Sequence, residues 1–120
     1  MPVSIGIDIV EIDRIRKVVE TRGERFLRKV YAPGEMVFCS RRADAAACLA
    51  ARFAAKEAFR KAVASGPFVA WREIVVVSAE SGAPFILLPA ALQKRFGGEF
   101  RVSLSHSGNN AVAVVVWERE

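Results

Sequence analysis

The sequence predicts an α+β fold, an antiparallel sheet packed on one long helix. Three observations point there. Helical stretches and hairpins come in runs, without the regular strand–helix alternation of a doubly wound sheet. The middle of the chain carries one long helical pattern with a continuous apolar half. The 120 residues also have the size of a single domain, here residues 1–120, with no repeat, linker or low-complexity tract.

Residues 3–10 (VSIGIDIV) alternate as a strand does, with Val3, Ile5, Ile7 and Ile9 on one face and Ser4, Gly6 and Asp8 on the other. Asp13 can cap a helix that runs to about Arg22 and buries Ile15, Val18 and Val19; Gly23 stops it. Residues 24–40 read as short helical turns around Pro33-Gly34. The long helix follows, from about Asp44 to Ser65. Ala54, Ala55, Ala58, Phe59, Ala62 and Val63 fall in its apolar half with Phe53. Lys56, Glu57, Arg60 and Lys61 fall in the other half, and Gly66-Pro67 ends the helix. Residues 72–78 and 85–88 read as strands joined across Glu80–Pro84, and a short helix at about 89–96 stops at Gly97-Gly98. Strands at 100–106 and 111–117 flank the turn Ser107-Gly108-Asn109-Asn110. The run AVAVVVW (Ala111–Trp117) has no polar residue on either parity, so both of its faces call for burial. One can lie on the Ala54/Ala58/Ala62 stripe, and a neighbouring chain could cover the other.

Composition narrows the partners. Eighteen Lys and Arg against thirteen Asp and Glu leave a net charge of +5, which favours acidic partners: nucleic acid, phosphorylated cofactors or acidic proteins. Most of that charge sits in residues 13–29, a net +4 that includes Arg14, Arg22, Arg25 and Arg28; a solvated helix face and a dock for an acidic macromolecule both account for it. Cys39 and Cys48 show neither metal-ligand spacing nor a disulfide framework, and are expected as reduced thiols of a cytoplasmic protein. Asp8 and Glu11 interrupt the one apolar N-terminal run, so no signal peptide is expected, and no segment approaches a membrane span.

A few residues stand out chemically. Asp8 interrupts an apolar strand, either as a solvent-facing position or as a carboxylate set on rigid scaffold to hold a cation. Glu57 has Lys61 one turn on, an ordinary helix ion pair by spacing. Phe53 shares their stripe, however, and Arg52, Lys56 and Arg60 crowd the region with positive charge, which suits a metal–phosphate site. Mg²⁺ is commonly held by one or two carboxylates together with substrate phosphates, and a strand Asp with a helix Glu meets that demand. GxxxxGK[ST] is absent, which excludes a P-loop ATPase. His106 ends a strand, as a structural histidine or a site residue, and Ser103 and Ser105 show no triad partners.

Taken together, these segments resemble the bacterial holo-acyl-carrier-protein synthases, the small branch of the phosphopantetheinyl transferases. GIDIVEIDRI (Gly6–Ile15) is similar to that family's GxDxxxxxR, and RFAAKEAFRKA (Arg52–Ala62) to its FxxKEAxxKA. RVSLSH with AVAVVV resembles its closing strands, ERFLRKVYAPGE the segment between the first two motifs, and SGAP its GKP hairpin. The resemblance implies an α+β fold assembled as a homotrimer with active sites between subunits. It implies Mg²⁺ on Asp8 and Glu57, with Glu57 or a water on the metal helping to deprotonate the carrier serine. Lys61 would stabilise the coenzyme A pyrophosphate; Arg52 and His106 would contact the nucleotide, beside the hairpin's Gly82 and Pro84. Arg14, Arg22, Arg25, Phe26 and Arg28 would dock an acidic acyl carrier protein. Ala83 departs from the family, which usually has Lys there. The expected activity is transfer of 4′-phosphopantetheine from coenzyme A to the carrier, in fatty acid biosynthesis. An RNA-binding module, the chief rival, calls for aromatics among basic residues on an exposed sheet, whereas these strands offer chiefly Val, Ile and Leu. A structural protein without chemistry leaves Asp8 unexplained. Neither nucleic acid nor membrane is expected as a partner.

Overall fold

In the computed structural model, which describes residues 2–120, β1 (Val3–Glu11) pairs antiparallel with β5 (Asn110–Glu118), Val3 opposite Glu118 and Glu11 opposite Asn110. Strand β4 (Glu99–Ser107) flanks β5 on its other side, so the order is β1-β5-β4. A separate two-stranded ladder joins β2 (Val75–Ser78) to β3 (Pro84–Leu87). The helices are α1 (Ile12–Arg22), α2 (Glu24–Val30), α3 (Pro33–Ser40), the long α4 (Ala45–Ala62) and α5 (Ala90–Phe96).

The three-stranded sheet packs on α4. Ala111, Ala113, Val115 and Trp117 of β5 are buried, as are Ala50, Ala54, Ala58, Phe59 and Ala62 of the helix. Small side chains let the backbones come close. At Gly6 a Cβ would collide with the Ala58 carbonyl oxygen, which is why glycine stands there. Phe59, Phe96, Phe100 and Trp117 close one end of this core through edge-on and tilted ring contacts of 4.8–6.0 Å.

The structure gives β1 a definite orientation. Its apolar parity points away from α4: Val3, Ile5, Ile7 and Ile9 are between 58 and 67% exposed, while Gly6 and Val10 are buried against the helix. Val112, Val114 and Val116 of β5 lie half-buried on the same outer face. The reading of β5 as wanting burial on both faces is thus met on one side within the chain, and the other remains an apolar sheet surface.

Several local expectations change. Helix α1 is capped not by Asp13 but by Asn109 of the β4–β5 turn, whose carbonyl and side-chain oxygens accept the Ile12 and Asp13 N–H groups at 2.7 and 2.9 Å. Asp44 does cap α4, accepting the Ala47 N–H at 3.1 Å. Strand β2 starts at Val75, because Trp71–Glu73 wind into a 3₁₀ turn first. The reduced thiols expected at Cys39 and Cys48 are not found. The two residues form a disulfide with Cα atoms 5.4 Å apart, a separation that disulfides span. Packing of α3 against the first turn of α4 brings them together, and their sequence spacing carries no sign of it.

Candidate active site

Strand β1 runs opposite in direction to α4. Gly6 touches Ala58 and Ala62, whereas Val10 lines a hollow together with Phe53. Asp8 lies between them in β1, on the parity of Gly6 and Val10 that faces the helix, and so falls at the level of the Glu57–Lys61 turn. The Lys61 ammonium crosses the gap, donating to Asp8 Oδ1 at 3.1 Å and to the Ile7 carbonyl at 2.9 Å. The Asp8 side chain is only 17% exposed, so the solvent-facing reading does not apply. Glu57 does not pair with Lys61. Its Oε1 accepts the Trp71 indole N–H and lies 3.5 Å from Arg60 Nη1.

Both carboxylates are therefore tied through one oxygen and open at the other. Asp8 Oδ2 and Glu57 Oε2 accept no hydrogen bond from any described residue, and neither is a buried orphan. Among the described residues no group of three or more His, Cys, Asp or Glu gathers that could cage a metal. A hard cation that keeps waters and shares a substrate's phosphates needs no such cage. Two free carboxylate oxygens with Lys61 and Arg60 alongside fit it.

The residues expected around the nucleotide fall elsewhere. Gly82 and His106 line a concavity of about 470 Å³ with Arg42, Asp44, Cys48 and Ser105. Gly82 sits there because the Ala79–Ala83 turn demands positive φ, 90°, at its position. Pro84 opens β3 opposite Ser78. Arg52 does not line this concavity. It is buried, stacked 4.3 Å from the Phe38 ring and donating to Ser78 Oγ at 3.2 Å, so it anchors the base of the hairpin that presents Gly82. Burial holds its pKa below the ordinary arginine value, with Glu35 opposing the shift. The two groups of residues are parted by α4: Ala47 and Ala51 face the His106 concavity, whereas Phe53 faces the β1 side.

On that β1 side a further hollow is lined by Arg22, Arg25, Phe26, Lys29, Phe53 and Trp71, and continues past Arg14 and Ile15. Arg28 is not part of it, being paired with Glu24 at 2.9 Å on the exposed side of α2.

Sequence reasoning missed three participants. Lys56, assigned to the charged half of α4, is fully buried; its ammonium bonds Glu35 Oε1 (2.7 Å) and the carbonyls of Trp71 (2.9 Å) and Ile74 (2.6 Å). Glu35 in turn accepts the Ala32 and Val76 N–H groups. Trp71 is the third, and its position just beyond the helix that carries Glu57 offered no periodic signal.

Residues 4–115 match the family model of the 4′-phosphopantetheinyl transferase superfamily. The holo-[acyl-carrier-protein] synthase of Chlamydia trachomatis is 44% identical over 118 residues, covering 96% of this chain and 98% of that protein. The crystal structure of the Neisseria meningitidis holo-[acyl-carrier-protein] synthase superposes with a TM-score of 0.87 at 31% identity, over 97% of this chain and 98% of that one. That of the Helicobacter pylori enzyme, in complex with coenzyme A, gives 0.84 at 34% identity over 95 and 99%. With a family match across nearly its whole length and relatives this close, the chain belongs to the 4′-phosphopantetheinyl transferase superfamily.

Proposed function

We propose that this chain transfers the 4′-phosphopantetheine group of coenzyme A to a serine of an acyl carrier protein, for fatty acid biosynthesis, as a Mg²⁺-dependent homotrimer in the cytoplasm. The observation that carries the reading is the pair of half-tied carboxylates, Asp8 and Glu57, with Lys61 between strand and helix. The serine oxygen bonds to the β-phosphorus, the bond from that phosphorus to the departing 3′,5′-ADP breaks, and the serine proton passes to a base. Mg²⁺ on Asp8 and Glu57 supplies charge stabilisation of the phosphate oxygens. Glu57, held at Oε1, turns Oε2 to the site, where it would hold the cation or take the serine proton, a water at the site serving as the base in the first case. Lys61 needs only to swing from Asp8 to reach a pyrophosphate. Since little covalent chemistry falls to the protein, such positioning and charge can account for most of the catalysis.

Two features support assembly. The outer sheet face of Val3, Ile5, Ile7 and Ile9 with Val112, Val114 and Val116 is an apolar surface of the kind that oligomers cover. The Asp8–Glu57 and Gly82–His106 groups lie on opposite sides of α4, so a coenzyme A contacting both calls for a second chain. Three copies, rather than two, is the number that the resemblance to the family implies. The basic hollow of Arg14, Arg22, Arg25 and Phe26 is the surface we assign to the acidic carrier.

Intact-mass measurement of an apo-carrier incubated with the protein and coenzyme A tests the chemistry. Addition of one phosphopantetheine with Mg²⁺, and none with chelator, is expected; no addition with Mg²⁺ overturns the reading. Light scattering tests the assembly. Against a chain of 13.1 kDa it should give roughly 39 kDa, and a monomer with full activity would remove the need for an interface.

A further inference from the structure

We propose that Trp71 is a positioning residue for Glu57, fixing which carboxylate oxygen is left open to a bound cation. The inference rests on the reading of Asp8 and Glu57 as a Mg²⁺ pair. Three independent restraints hold the tryptophan. Its backbone carbonyl accepts from the buried Lys56 ammonium at 2.9 Å, and that ammonium is itself fixed by Glu35 at 2.7 Å. One side of its ring packs on Phe53, centroids 5.6 Å apart. The Arg60 guanidinium stacks 4.5 Å from the ring centroid and is tethered by its Nε donating to the Val69 carbonyl at 3.1 Å.

With backbone and ring both fixed, the indole N–H points one way, at Glu57 Oε1. An indole N–H only donates, so Oε1 is engaged as an acceptor and Oε2 is the oxygen left open to the site. Arg60 Nη1 approaches the same oxygen at 3.5 Å. A glutamate on a helix rim otherwise samples several rotamers. Here one oxygen is assigned to the scaffold and the other to chemistry. Hydrogen-bond partners behind a metal ligand commonly set metal affinity by about 10–100-fold.

The test uses the full chain labelled with ¹⁵N, which has two indole N–H signals, one for each tryptophan. In metal-free protein, Glu57→Gln is expected to shift one of them and leave the other, and this requires no tryptophan variant. Calorimetric titration with Mg²⁺ in the presence of coenzyme A should show affinity lost in Glu57→Gln. It should fall about tenfold in Trp71→Phe, which keeps the ring packing, with a melting temperature within a few degrees of wild type. An unmoved pair of indole signals overturns the inference. So does wild-type Mg²⁺ affinity in Trp71→Phe when Glu57→Gln has lost it. Wild-type affinity in Glu57→Gln brings down the metal reading itself, and the role of Trp71 with it.

Discussion

Lys56 and Lys61 stand five residues apart on one helix, each bonded to a carboxylate, and the two pairs have opposite fates. Lys56–Glu35 is almost wholly enclosed, and Lys56 uses its three donors on Glu35 and two carbonyls. Lys61–Asp8 sits at a rim, with the lysine side chain 55% exposed and Asp8 Oδ2 uncommitted. Burial lowers the pKa of Lys56, and the nearby Glu35 charge works against that fall, so the pair survives only because each member completes the other. The difference teaches where chemistry can live: a saturated pair can only hold structure, and reactivity requires a pair with capacity to spare.

The largest effect is expected from breaking the buried pair. Lys56→Met leaves Glu35 and the Trp71 and Ile74 carbonyls without their common donor, and should cost about 3–5 kcal/mol in urea unfolding. That is a large share of the stability of a typical domain. A loss below about 1 kcal/mol would mean that water reaches this site.

The rim pair should respond in the opposite sense. Asp8→Asn is expected to slow transfer by two or more orders of magnitude, about 3 kcal/mol at the transition state. Stability should change by under about 1 kcal/mol, as for a partly exposed pair. Comparable losses of folding and turnover would erase the distinction between the two lysines.

The smallest effect sharpens the comparison by pH. Tyr31 lies beneath Lys56, its hydroxyl donating to the Leu49 carbonyl at 2.7 Å, and burial, then the Glu35 charge, raise its pKa above the ordinary 10.0. Above pH 10 the unfolded chain releases the Tyr31 proton while the folded chain keeps it. The unfolded state then binds fewer protons, and stability falls as pH rises. Tyr31→Phe should cost about 1 kcal/mol at neutral pH for the lost hydrogen bond. That deficit should shrink above pH 10, measured by chemical denaturation across pH. A constant difference would show that the phenol titrates normally.

Local pattern made much of this legible. The 3.6-residue periodicity found α4, and the alternation in residues 3–10 and the unbroken apolar run at 111–117 found the two strands that pack on it, because those signals are written in neighbouring residues. Asp8 and Glu57 stood out as charges in apolar company. What stayed hidden depends on distant partners. Lys56 reads as solvated until Glu35, from another helix, is beside it, and Cys39 reads as a free thiol until α3 folds onto α4. The outward turn of Ile5, Ile7 and Ile9 reverses the usual inference that the apolar face is the inner one. Only Gly6, which must meet Ala58, betrays the true inner parity. Asn109 accepts from Ile12 and from Asp13, 96 positions away, and Trp71 donates to Glu57, 14 positions back across the end of α4, pairings that no periodic pattern records.

The pairing of β1 with β5 has a consequence for synthesis. Val3 finds its partner at Glu118, so β1, the first of the described strands to be synthesised, has no ladder until nearly all the rest of the described chain has followed. Until then Ile5, Ile7 and Ile9 are an unpaired apolar segment, beside a helix whose Ala54/Ala58/Ala62 face is equally bare. Closing so long a loop is slow relative to forming local helices. The nascent chain therefore spends its longest interval in the form most prone to associate with others or to be held by a chaperone.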